Sequence, residues 1–326
     1  MLKRTLIFLS DSKAARALVT RSPFRRVSAR FVPGETVEDF LGAAQEANAA
    51  GLLVTGNYLG EAERDEQTAR DALDVYLRVL EGMLERGVEG NISVKPTQVG
   101  LEIGEEFFKE NLRRLLDPAQ AAGVFVRLDM ESSRWTQATL DVFEELWAEG
   151  YRNLGPVLQS NLRRTRDDAL RMNELGARVR LCKGAYLEPT EVAFPDKSEV
   201  DRSFVEVAEL LMREGRYPAL ATHDHRLIDT LKAFATQEGI GPERFEFQML
   251  FGVRRDLQRR LREEGYNLRV YVPFGESWYP YLVRRLAERP ANLVFFAGSI
   301  VKETPLGFLW PNGGGGSPPP TRRPGG

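Results

Sequence analysis

The run "GVFVRLDM", Gly123 to Met130, is a short apolar segment that ends on an aspartate. Seven more runs share its character: "LLVTG" from Leu52, "NISVKP" from Asn91, "LGPVLQ" from Leu154, "VRLCKG" from Val179, "PALATH" from Pro218, "FEFQML" from Phe245 and "LRVYVPFG" from Leu268. Consecutive runs begin 23 to 39 residues apart, and the segments between them carry helical spacing of their apolar residues. That distance is long enough for a crossover helix between parallel strands. Eight such units filling about 250 residues predict an α/β fold of the (β/α)8, TIM-barrel type. A doubly wound sheet would show a glycine-rich phosphate loop after its first strand, and no G-x-G-x-x-G follows any run.

The connecting segments read as helices. "DEQTARDALDVYLRVLEGMLERG" sets Ala69, Leu73, Tyr76, Leu77, Leu80 and Leu84 on one stripe and ends on Gly87. "DDALRMNELG" repeats the pattern before the fifth run. Ahead of the barrel lies a helical preamble, residues 1–50, with the basic segment "TRSPFRRVSARF" and the amphipathic "ETVEDFLGAAQEANAAG". The barrel itself is expected over 51–290, a C-terminal extension over 291–311, and a flexible glycine- and proline-rich tail over 312–326.

With 45 basic and 47 acidic residues the net charge is -2, which gives no basic field for nucleic acid. The single cysteine, Cys182, excludes an internal disulfide and any cysteine-rich metal site, and fits a cytoplasmic, reducing setting. The start "MLKRTLIFLSDS" is too short in apolar residues for a secretory or spanning segment, so the chain reads as soluble, or peripheral to a membrane at most.

Barrel enzymes place their chemistry at the carboxyl ends of the strands. Here those ends carry Lys95, Asp129, Gln159, Lys183, Thr222, His223, Gln248 and Tyr271. Each alone reads as a capping or solvated residue; the same habit on seven strands argues for a pocket. Gln248, between Phe247 and Met249, needs partners for both ends of its amide if it is buried. Lys95 and Lys183 are solvated strand-end lysines or Schiff-base nucleophiles. His223 and His225 are two apart and point to opposite faces of an extended segment, so no metal site is expected. Cys182 reads as a small buried apolar residue.

After the eighth run a helix starts near Ser277 and stops before Pro290, with Pro280 in its first turn. Tyr281, Arg284, Arg285 and Glu288 share one face of it. One reading is a surface pair worth about 0.2 to 0.5 kcal/mol. The other is a carboxylate clamp of two guanidinium forks, with Glu288 positioning a nearby cation such as Lys95.

The motifs "SVK", "LDME", "RLCKGAY", "ATH", "FQML-G" and "RVYVPFG...YLVRRLAE", in this order from Leu52 to Glu288, closely resemble the monofunctional proline dehydrogenases. The resemblance implies a distorted (β/α)8 barrel binding FAD non-covalently, with the last helix over the pocket. It implies oxidation of L-proline to Δ1-pyrroline-5-carboxylate by hydride transfer to flavin N5, the first step of proline catabolism. Electrons would pass to a membrane quinone at the inner face of the membrane, and the product to a separate pyrroline-5-carboxylate dehydrogenase. By the same resemblance, Asp129 and Arg180 belong to the catalytic centre. Lys95, Arg284 and Arg285 would grip the substrate carboxylate, with Glu288 and Asp129 holding Lys95. Tyr186, Tyr271 and Tyr281 would wall the ring. Met130, Gln159, Arg180, Lys183, Gly184, Ala185, Thr222, His223 and Gln248 would touch FAD. Two rivals are a Schiff-base, aldolase-type barrel using Lys95 or Lys183, and a non-catalytic metabolite-binding barrel.

Overall fold

The structure, a computed structural model, describes residues 30–288. Eight parallel strands close into one barrel in chain order: β1 (Leu53–Tyr58), β2 (Gly90–Val94), β3 (Val126–Leu128), β4 (Leu154–Gln159), β5 (Arg180–Cys182), β6 (Ala219–Ala221), β7 (Glu246–Leu250) and β8 (Leu268–Phe274). Each falls within or overlaps one of the eight apolar runs. β3, β5 and β6 are only three residues long, shorter than their runs, because the chain leaves the sheet where its polar residues begin. The barrel closes where Leu53 to Tyr58 pair with Arg269 to Phe274.

Helices α1 (Val37–Ala49), α2 (Glu66–Glu85), α3 (Glu105–Ala121), α4 (Ser133–Ala148), α5 (Thr165–Leu175), α6 (Lys197–Glu214), α7 (His225–Glu238) and α8 (Arg255–Glu263) surround the strands, and a 3-10 turn (Pro242–Arg244) precedes β7. On α2 the buried stripe runs through Ala69, Leu73, Tyr76, Val79, Leu80 and Met83. Leu84, expected on that stripe, is 52% exposed, because the face advances by 3.6 residues per turn and Met83 takes the inward position. Gly87 follows the last turn with a φ of 62°, a left-handed conformation that suits glycine.

Helix α1 is more than a preamble. Thr36 caps it by accepting from the Asp39 amide at 3.1 Å, while the Asp39 carboxylate accepts from the Thr36 amide at 2.9 Å. Its buried face packs on β8, β1 and α2. Phe40 stacks on Phe274 with ring centroids 5.3 Å apart. Gly56 makes room for it: a Cβ there would lie 2.6 Å from the Phe40 ring. The outer position between β8 and β1, which the helix following β8 takes in a regular barrel, is thus filled from the front of the chain.

Bonds between strands that are not neighbours must cross the barrel interior, and they identify its inward face. Tyr271 of β8 reaches Asp129 after β3, and Arg180 of β5 reaches Ser93 of β2. Barrel interiors are usually filled by branched apolar residues. Here the floor is ionic: Arg269 makes a two-pronged bond to Glu246 at 2.8 and 3.0 Å and donates to the Val54 carbonyl at 2.8 Å. Fully buried Arg127 donates to the carbonyls of Pro156 and Arg178.

The barrel unit ends at Trp278, whose indole donates to Glu35 at 3.0 Å. Helix α9 (Trp278–Glu288), belonging from Tyr279 onward to a second unit, begins next to the expected start at Ser277, with Pro280 in its first turn. Residues 1–29, which hold most of the basic segment, and 289–326, which hold the expected extension and tail, lie outside the described residues.

Thr36→Ala is expected to lower the urea-unfolding free energy by about 1 kcal/mol, and Thr36→Ser to restore it, since only the hydroxyl cap is at stake.

Candidate active site at the strand ends

Three strands, β2, β5 and β8, deliver polar groups to one carboxylate, that of Asp129 after β3. Its Oδ1 accepts from Ser93 Oγ and from Arg180 Nη1, both at 2.6 Å. Its Oδ2 accepts from the Tyr271 hydroxyl at 2.6 Å and lies 4.0 Å from Lys95 Nζ. The Arg180 guanidinium carbon sits 5.4 Å from the Tyr271 ring centre. Burial first, and the Asp129 charge second, push the Tyr271 phenol well above its ordinary value, so it stays a proton donor. Arg180 is almost wholly buried, and its Nε and Nη2 have no partner among the described residues. Two buried nitrogens, with three N–H bonds between them, therefore remain for an electron-rich ligand.

A surrounding layer fixes these groups. The Glu131 carboxylate accepts from the Thr97 amide and hydroxyl, both at 2.8 Å, and so ties the turn after Lys95 to the loop after β3. Burial raises its carboxyl above the ordinary range. Its backbone carbonyl accepts from Gln159 Nε2 at 2.8 Å. Gln248 Nε2 donates to Glu246 at 2.5 Å. His223 Nε2 accepts from the Leu250 amide at 2.9 Å, which fixes its tautomer. Lys183 lies 2.5 Å from Asp201 and 3.4 Å from Asp224, at the starts of α6 and α7. Gly184 has a φ of 96°, and a Cβ there would run into the Asn161 side chain.

The strand ends thus bring Lys95, Asp129, Arg180 and Tyr271 together, with Gln159, Lys183, Gly184, Thr222, His223 and Gln248 on the same carboxyl-end rim and Met130 buried beside Asp129. Tyr186 is half-buried and Ala185 exposed in the loop after β5. Cys182 differs from expectation: it follows Arg180 by two residues on the inward register and is partly exposed at the strand end. Tyr281 is buried on α9. The side chains of Arg284, Arg285 and Glu288 lie outside the described residues. Sequence reading misses Ser93, Thr97, Glu131, Asp201, Asp224 and Glu246. For Ser93 and Glu246 a signal exists, since each stands two residues before a strand-end candidate and so shares its face. The others act from loops and helix starts, where no periodicity marks them.

The proline dehydrogenase family model matches residues 40–297. A proline dehydrogenase of Deinococcus radiodurans is 38% identical over 87% of this chain and 93% of its own length. Proline dehydrogenase 1 of Bacillus subtilis subsp. natto is 36% identical over 93% of this chain and all of its own length. The chain belongs to the proline dehydrogenase family. Among solved structures, a proline utilization A from Bdellovibrio bacteriovorus, inactivated by N-propargylglycine, superposes with a TM-score of 0.79 at 26% identity. That match covers 91% of this chain but only 36% of the other, so this proline dehydrogenase chain spans about a third of the larger protein.

Asp129→Asn is expected to cost roughly 3 kcal/mol of unfolding free energy in urea, because the buried Arg180 charge loses its counter-ion. Ser93→Ala should cost about 1 kcal/mol, the loss of one neutral donor to the same oxygen.

Proposed function

We propose that this chain oxidises L-proline to Δ1-pyrroline-5-carboxylate with FAD as its bound oxidant. The observation that carries the reading is Arg180, anchored through Nη1 on Asp129 while Nε and Nη2 stand buried and unpartnered among the described residues. An electron-poor ring with acceptor atoms on its edge fits those donors. FAD would be held by the Met130 backbone, Gln159, Arg180, Lys183, Gly184, Ala185, Thr222, His223 and Gln248. Once bound it would supply a hydride acceptor.

The protein's own part is orientation and charge. Lys95, beside Asp129, would meet the substrate carboxylate together with Arg284 and Arg285 of α9. Tyr281, with Tyr186 and Tyr271, would wall the pyrrolidine ring, and Glu288 would help position Lys95. Cations around the carboxylate favour the neutral amine, from which hydride departs most readily. No dedicated base is then needed. Asp129 is ill-suited to be one, since both of its oxygens already accept strong bonds. Reduced cofactor would pass its electrons to a quinone, and the product would go to a separate pyrroline-5-carboxylate dehydrogenase. The encounter with a membrane quinone would be peripheral, from the cytoplasmic side; among the described residues no helix is long and apolar enough to cross a membrane.

The purified protein should be yellow, and its flavin bands should bleach when L-proline is added without oxygen; a colourless protein, or bands indifferent to proline, would refute the reading. Arg284→Met and Arg285→Met should each raise the KM for proline at least about a hundredfold while flavin is retained, the scale of a charge-assisted pair in a closed site. An unchanged KM in both variants would remove the clamp.

A further inference from the structure

Gln248 presents an unusual constraint. It is 3% exposed and shares the inward face of β7 with Glu246, which is 1% exposed. Glu246 Oε1 accepts from Gln248 Nε2 at 2.5 Å and from Arg269 Nε at 2.8 Å, and Oε2 accepts from Arg269 Nη2 at 3.0 Å. Burial works against the Glu246 charge, but Arg269, aided by Gln248 and Arg127, outweighs it and keeps the carboxyl below its ordinary range. An ionised carboxylate can only accept, so the amide must turn its NH2 end down to Glu246. The two ends of a glutamine amide otherwise look alike, and here chemistry decides between them. Across the barrel, Gln159 is locked in the same sense, its NH2 end given to the Glu131 carbonyl. Neither amide oxygen accepts a hydrogen bond among the described residues.

We infer that Glu246 is a positioning residue: it fixes Gln248 with its carbonyl oxygen toward the barrel mouth, where that oxygen recognises a ligand group that can only donate. On the flavin reading above, upon which this rests, that group is the ring N3–H. It is the one N–H of the oxidised ring system, while the other polar atoms of its edge are acceptors that an amide oxygen would repel. The ribityl hydroxyls both donate and accept, and so require no locked amide. The donors and acceptors of the site are complementary in consequence, with Arg180 offering N–H groups and Gln248 offering a carbonyl. Arg269 is the support beneath, because without it Glu246 would take up a proton and release the amide to turn.

The test compares equilibrium binding of FAD and of FAD methylated at N3 to the apoprotein. Wild type should bind the methylated cofactor at least about tenfold more weakly, the loss of one well-made hydrogen bond. Gln248→Leu, similar in volume and without an acceptor, should bind the two within about twofold. Glu246→Gln should narrow the preference as well, since its amide can pair with either end of Gln248. If Gln248→Leu keeps the wild-type preference, or if wild type shows none, the assignment is overturned while the flavin reading stands; failure to bind either flavin would defeat that reading and this inference with it. Orientation is also read without cofactor. In wild-type apoprotein the Gln248 side-chain NH2 should exchange slowly with solvent by NMR, and rapid exchange would overturn the lock.

Discussion

The site depends on a negative charge held largely out of water, its side chain 14% exposed. A carboxylate at the end of β3 is costly to remove from water, and Asp129 offsets that cost with three short hydrogen bonds and a nearby ammonium from three other strands. Such a pair adds little net stability over an apolar filling of the same volume. What it contributes is uniqueness, because β2, β3, β5 and β8 must all be in register before the charge is satisfied. The same bond that anchors Arg180 leaves its remaining N–H groups directed elsewhere, so holding the arginine and preparing it for a ligand are one arrangement.

Below this layer the interior stays polar. Arg269, Glu246 and Arg127 occupy positions that many barrels give to branched apolar side chains, and the apolar core lies instead between the strands and the surrounding helices. The floor acts as a rigid template. Glu246 orients Gln248, and the backbone carbonyl of Glu131 orients Gln159, so two amides at opposite sides of the mouth present the same end. Polar interiors of this kind hold direction well, since each donor has few alternative acceptors within reach.

How much of this is legible in the sequence follows from periodicity. All eight strands stand out as apolar runs at barrel spacing, and strand alternation by itself places Lys95, Asp129, Gln159 and Gln248 at the carboxyl ends. Alternation also contains Arg127, Ser93, Glu246 and Arg269, each two residues below one of the strand-end candidates, but a polar residue inside an apolar run shows no partner until the barrel closes. The residues that clasp Lys183, Asp201 and Asp224, stand 18 and 41 positions away on helix starts, and only the fold brings them near. Cys182 misleads for a related reason: its chemical character suggests burial, whereas its register with Arg180 carries it toward the mouth. Leu84 departs from its expected face by a fraction of a turn, an offset that accumulates over a twenty-residue helix.

Helix α1 alters what the segments on either side of the barrel are for. It seals the seam between the first and last strands with Phe40 against Phe274, from the front of the chain. The scaffold is finished at this seam by a segment that emerges ahead of the first strand. A change in α1, far from any chemistry, would therefore loosen the frame on which every strand end depends.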